Sequence, residues 1–256
     1  MRQPFGQNFL IDKNIARGIV DSAELSSSDT ALEIGPGKGI LTELIAALAA
    51  KVIAVELDRN LAAALQKKFA SRGNVEIINQ DFLSLSLTPY PLPLTIISNL
   101  PYNAATPIIE MFLPHKNWRT AIVMVQKEVG ERITAAPGNR DYGVLSIICQ
   151  YYAVAEFLFT VGPKAFKPSP RVDSAVLRFT NKLPEIPPEG FLKLIKAAFQ
   201  QRRKTILNSL SAVLKIEKSA LAGILNSCRI DPSLRPERLT QKDYLCLTNL
   251  LKKYII

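Results

Sequence analysis

Four consecutive residues, Asn99-Leu100-Pro101-Tyr102, concentrate an amide, a carbonyl, a fixed backbone and an aromatic ring in one place. They close the apolar run Leu92-Pro93-Leu94-Thr95-Ile96-Ile97, which reads as a buried parallel strand. Pro101 has no N–H to donate and biases Leu100 toward an extended backbone. The Leu100 carbonyl is thereby expected to point outward beside the Asn99 side-chain oxygen. Two acceptors side by side, with a ring for stacking, suit a planar group bearing an NH2, such as adenine. The plainer alternative is a strand-ending turn capped by an asparagine. Open α/β sheets take ligands at the carboxyl ends of their strands, where these residues would lie.

Two acids and a glycine turn make the ligand reading stronger. Thr30–Ile34 is a short buried strand, followed by Gly35-Pro36-Gly37-Lys38-Gly39 and a helix expected over Ile40–Ala50. Glycines between strand and helix let a ligand approach the backbone. Their spacing is G-x-G-x-G rather than the G-x-G-x-x-G of dinucleotide sites. Lys51–Glu56 is a second strand ending in an acid, at about the offset of a ribose-binding carboxylate. Val75–Ile78 is a third, closed by Asn79-Gln80-Asp81-Phe82. There Asp81 can accept from an adenine amine while Phe82 packs beside the ring. Together these residues predict a nucleoside pocket.

The remaining elements supply the frame. Phe5-Gly6-Gln7-Asn8-Phe9-Leu10 is either a terminus docked by its two Phe rings or an arm folded over a ligand, with Gln7 and Asn8 bonding to it. Asp12 can cap the helix that follows. Helices are expected over Arg59–Phe69, Thr106–Phe112, Lys127–Thr134 and Leu145–Tyr152, and strands over Thr120–Val125, Ala153–Val161 and Asp173–Thr180. Alternating βα units imply a doubly wound parallel sheet. Ala135–Asp141 reads as a mobile loop. Gly162–Arg171 carries three prolines, and its Phe166 is either the second slice of a base-stacking sandwich opposite Tyr102 or a hydrophobic plug under the loop. After a proline-rich linker, Leu183–Pro188, the pattern is helical to the end. This divides the chain into domains 1–182 and 183–256. Arg202, Arg203 and Lys204 follow an apolar helix face. They serve either the helix dipole or phosphate groups.

Composition narrows the partner. The 256 residues carry 32 Lys+Arg against 22 Asp+Glu, a formal charge of +10 that favours RNA or DNA over a membrane. Nothing resembles a signal peptide or a membrane span. Three cysteines far apart, with no CxxC and one histidine, give neither a zinc pattern nor a disulfide framework. Reduced thiols and a cytoplasmic setting are therefore expected. His115 sits in a surface loop and is assigned no role.

In order along the chain, Phe5–Leu10, Glu33–Gly39, Glu56, Asp81-Phe82, Asn99–Tyr102, Phe166–Pro170 and Arg202–Lys204 resemble the KsgA-type rRNA adenine-N6,N6-dimethyltransferases. The resemblance spans nearly the whole chain. It implies a Rossmann-like S-adenosylmethionine-dependent methyltransferase domain and a small all-α C-terminal domain that binds RNA. Its implied target is two adjacent adenosines near the 3′ end of small-subunit rRNA during ribosome biogenesis. A monomer is expected, and no metal, because the methyl donor is already activated. By position, Asn8, Leu10, Gly35, Gly37, Glu56, Asp81 and Asn99 would line the cofactor site. Asn99, Leu100, Pro101, Tyr102 and Phe166 would hold the target base, and Arg202, Arg203 and Lys204 would meet RNA. A large-subunit enzyme of the Erm type, a DNA adenine methyltransferase, and a non-catalytic RNA-binding assembly factor on the same scaffold remain alternatives. A nicotinamide oxidoreductase is disfavoured by the glycine spacing.

Overall fold

The structure is a computed structural model that describes residues 8–87, 93–201 and 203–255. The chain packs as two compact units, Met1–Gly130 with Ala153–Lys182, and Glu131–Tyr152 with Leu183–Ile256. The sequence places one boundary at 182/183; the second unit takes in 131–152 as well as 183–256.

The first unit is built on a seven-stranded sheet. In chain order its elements are β1 (Phe9–Leu10), α1 (Lys13–Asp21), β2 (Thr30–Ile34), α2 (Ile40–Ile45), β3 (Lys51–Glu56), α3 (Arg59–Lys68), β4 (Val75–Asn79), β5 (Leu94–Asn99), α4 (Ala105–Phe112) and β6 (Trp118–Gln126). Helix α5 (Lys127–Thr134) straddles the division, and α6 (Val144–Tyr152) belongs to the second unit. The first unit resumes with β7 (Ala153–Val161), β8 (Phe166–Lys167) and β9 (Ser174–Asn181). The order across the sheet is β4-β3-β2-β5-β6-β9-β7.

Five of these strands are parallel, as the βα alternation predicts. Of the other two, β7 points the same way and only β9 is reversed. β9 runs antiparallel to both β6 and β7, so the sheet is mixed. The reason lies in the connection: Gly162–Asp173 holds no crossover helix, and a loop without one joins antiparallel neighbours. Helix α2 is also shorter than expected and gives way to turns after Ile45. Asp12 caps α1 as predicted, its Oδ1 accepting from the Asn14 N–H at 2.8 Å and the Ile15 N–H at 3.1 Å. α1 turns Ala16, Ile19 and Val20 into a core that also holds Ile45, Val52, Ile97, Ile122 and Phe166.

The second unit is helical apart from its turns: after α6 come α7 (Phe191–Ala198), α8 (Ile206–Leu214), α9 (Lys218–Ser227) and α10 (Gln241–Ile255). It has its own core, in which Leu194, Leu210, Leu221, Tyr244 and Leu251 are fully buried. The loop after α5, expected to be mobile, is tied down: Gly138 donates its N–H to the Glu237 carbonyl at 2.7 Å. Cys228, at the end of α9, and Cys246, in α10, form a disulfide, which corrects the expectation of three reduced thiols. Helix packing brings together two residues whose spacing in sequence matches no motif. Among the described residues, no helix is long and apolar enough to cross a membrane.

Candidate active site

Strand register sets the site. Glu56 pairs with Asn79, and Glu33 with Ala54 and Ile97, so β2, β3, β4 and β5 end close together on one side of the sheet. A cleft opens there, at the carboxyl ends of the parallel strands. Asn8, Gly35, Gly37, Glu56, Asp81, Asn99 and Pro101 all line it.

Each of these side chains is held by local structure. Glu56 is 3% exposed, and its two oxygens accept from the Gly37 and Asp58 N–H groups, both at 3.0 Å. A carboxylate offers about four lone-pair positions, so acceptor capacity remains for a ligand hydroxyl. Asp81 Oδ1 accepts from the Leu83 N–H at 3.0 Å and caps the turn that follows β4. Gly37 has φ +58, and a Cβ there would lie 3.1 Å from the Phe9 ring. No other residue type fits that turn against that ring without strain. Asn99 donates from Nδ2 to the Asn8 carbonyl at 3.4 Å, which directs its Oδ1 the other way as an acceptor. Leu100 donates its N–H to the Met124 carbonyl, and Pro101 lies against Gly35.

Glu33 lies behind this surface and is 1% exposed. Glu33 Oε2 has no hydrogen-bond partner among the described residues. Burial dominates, hydrogen bonding from Thr42 of α2 opposes it, the nearby Glu56 charge adds to it, and the Glu33 carboxyl is pushed up to about 8.

Several expected residues lie elsewhere. Leu10 is buried, because alternation along β1 gives Phe9 to the cleft and Leu10 to the core. Phe166 is the register partner of Leu10 and shares its fate at 3% exposure. Its ring is the plug under the loop and not a stacking slice. Leu100 is also buried, and Tyr102 stands half-buried beside the cleft without lining it. Arg203 and Lys204 are exposed in the second unit, between α7 and the Thr205 cap of α8; Arg202 lies outside the described residues, as do Phe5, Gly6 and Gln7 of the arm. Cations just before a helix N-terminus run against its dipole, so the dipole does not explain Lys204.

Other lining residues went unread in the sequence. Leu57 and Leu83 follow the two acids, and they stand 53% and 45% exposed on the rim, apolar walls suited to a planar ring. Asn103 lies four residues past Asn99, where a longer motif would have included it. Arg235 is exposed near Arg203 and Lys204, because the Ile206 N–H bonds the Leu234 carbonyl at 2.7 Å.

A mixed sheet with helices on it, and a largely apolar cleft at its parallel carboxyl ends with Glu56, Asp81 and Asn99 set into it, is a Rossmann-like fold of the kind methyltransferases use. The comparisons carry this to a family. The model of the ribosomal RNA adenine dimethylases matches residues 1–253, and the chain belongs to that family. It is 44% identical over 260 residues to the ribosomal RNA small subunit methyltransferase A of Alkaliphilus oremlandii, covering 97% of this chain and 91% of that one. The protein of the same name from a Geobacillus species is 43% identical, with 98% and 91% covered. Among solved structures, a dimethyladenosine transferase from Plasmodium falciparum superposes with TM-score 0.83 at 26% identity, covering 96% of this chain and 98% of that one. The 23S rRNA methyltransferase ErmE gives 0.73 at 27% identity, with 96% and 100% covered.

Proposed function

We propose that this chain transfers methyl groups from S-adenosylmethionine to N6 of two adjacent adenosines near the 3′ end of small-subunit rRNA, giving N6,N6-dimethyladenosine. The observation that carries the reading is the convergence of Glu56, Asp81, Asn8, Asn99 and Pro101 on one cleft. S-adenosylmethionine supplies a methyl group already activated on sulfonium. Glu56 accepts from the ribose hydroxyls, and Asp81 accepts from the adenine amine between the apolar walls of Leu57, Phe82 and Leu83. Gly35 and Gly37 let the ligand reach the backbone.

The target nitrogen is a poor nucleophile, since its lone pair is delocalised into the ring. The Asn99 Oδ1 and the Leu100 carbonyl accept from its N–H groups, favour a more pyramidal nitrogen and aim the lone pair into the cleft. Positioning and preorganised dipoles supply most of the rate. The base must leave its stack to reach the cleft, and Tyr102 stacks on it once it has. The exposed cations Arg203, Lys204 and Arg235, with Arg202, meet phosphates and help select the target by shape. The protein acts as a monomer in the cytoplasm, where its partner, a small-subunit precursor, is assembled.

The test is methyl transfer to unmethylated small and large ribosomal subunits from the same cells, read by mass spectrometry of digested rRNA. Dimethyladenosine at two neighbouring small-subunit positions is expected. Incorporation confined to the large subunit would support the specificity named for ErmE and overturn this target.

A further inference from the structure

Ser174 opens β9 and is 0% exposed. Gln126 of β6 and Val161 of β7 flank it in register, so the sheet holds it on both sides. Its Oγ lies 2.7 Å from the phenol oxygen of Tyr102, 72 residues earlier in the chain. β5 and β9 are not neighbours, because β6 runs between them. The turn after β5 therefore crosses β6, where Leu100 bonds Met124, and its tip is tied to β9 by the Tyr102–Ser174 pair.

A tyrosine on a turn can swing about two side-chain torsions. Fixing its far end fixes the direction of the ring axis and so where the ring sits; the phenol oxygen lies on that axis, so turning about it leaves the bond intact. Burial raises the Tyr102 hydroxyl above its ordinary value, so the group stays neutral and keeps its proton for the bond. A serine fully buried at the start of a central strand also calls for a reason. A buried hydroxyl without a partner is costly, and Tyr102 supplies the partner.

We propose that Ser174 is a positioning residue that holds the Tyr102 ring at the place needed to stack on the target base. The proposal rests on Tyr102 being the stacking ring in the methyl transfer described above. It assigns a task to the far end of the proline loop, whose Phe166 turned out to be core.

The experiment compares Ser174→Ala, Ser174→Thr, Tyr102→Phe, the Ser174→Ala/Tyr102→Phe double variant and Tyr102→Ala. Each is followed by single-turnover methyl transfer to unmethylated small subunits, by calorimetric S-adenosylmethionine binding and by thermal unfolding. Ser174→Ala and Tyr102→Phe should each slow transfer about tenfold, equivalent to about 1.4 kcal/mol. Cofactor affinity should not change, the double variant should be no slower than either single one, and Ser174→Thr should recover most of the rate. Should Ser174→Ala fail to fold, Tyr102→Phe removes the same bond from the half-buried side and carries the test. Additive losses, or a loss of cofactor affinity alongside rate, would make the pair a structural tie and overturn the proposal. So would full rate in Ser174→Ala while Tyr102→Ala is inactive, and that result would leave the stacking role standing. Full rate in Tyr102→Ala would remove the stacking role itself.

Discussion

The two units put their polar groups in opposite places. The first draws carboxylates inward: Glu33 and Glu56 are the charged side chains buried among the described residues, and both belong to it. The second buries hydroxyls that its own helices satisfy, as when Thr248 donates to the Tyr244 carbonyl at 2.7 Å and Ser209 to the Ala198 carbonyl at 2.7 Å. It leaves Arg203, Lys204 and Arg235 outside. A buried acid is specific, because its desolvation is offset only by a partner of the right shape. Exposed cations recognise any suitably spaced anion and are screened by salt. On the proposed function, the first unit discriminates a small molecule and the second meets a polyanion.

Acidity offers the strongest lever on this contrast. Glu33 titrates near 4.5 when unfolded and at about 8 when folded, so folding takes up a proton between those values. Stability from this group is full below about pH 4.5 and is lost as pH rises through about 8, a change on the order of 5 kcal/mol. Unfolding followed against pH should show this limb in the first unit, and Glu33→Gln should flatten it. A limb that survives the substitution, or that appears equally in the second unit, would break the comparison.

Asn99→Ala removes an acceptor that matters most in the transition state. Transfer should slow by the equivalent of about 2–4 kcal/mol, while cofactor affinity changes much less. Single-turnover rates alongside calorimetry give both numbers, and near-normal turnover would end the central role given to Asn99. Reduction of Cys228–Cys246, or Cys228→Ser, should act on the other unit alone. The closed loop spans 18 residues, and its opening should cost about 3 kcal/mol of stability. Calorimetric unfolding with and without reductant should show the loss with S-adenosylmethionine binding intact.

Glu56→Ala should weaken S-adenosylmethionine binding by about 1.5–3 kcal/mol, the worth of charge-assisted hydrogen bonds, without altering RNA affinity. Unchanged binding would place the pocket elsewhere. The smallest effect is the most diffuse: replacing Arg202, Arg203 and Lys204 with Gln should lower the salt slope of log K for RNA by about 0.7–0.9 per lost phosphate contact. A slope that stays put in a folded variant would mean that these cations do not touch RNA.

Much of the first unit was legible because its signals are local. Thr30–Ile34, Lys51–Glu56 and Ala153–Val161 are bounded by their own residues, and the acids at strand ends announce a cleft by position alone. What escaped is what depends on pairing. The antiparallel placement of β9 follows from a missing helix rather than from any residue in the strand. The exchange of Leu10 for Phe9 at the cleft turns on a one-residue register against β8, and that same register sends Phe166 inward. The Cys228–Cys246 bond and the approach of Arg235 to Arg203 follow from helix packing, which leaves no trace in spacing.

The pairing of β1 with β8 also has a consequence for synthesis. Phe9 leaves the ribosome well before the strand that fixes it, which ends at Lys167. A nascent chain can form β2 to β5, with Glu56, Asp81 and Asn99 at their ends, long before that partner exists. The wall that Phe9 gives the cleft is then missing, and closing it is a long-range event of the slow kind. A growing chain should therefore stay unable to retain cofactor until the proline loop has emerged, which ties the onset of binding to a late point in translation.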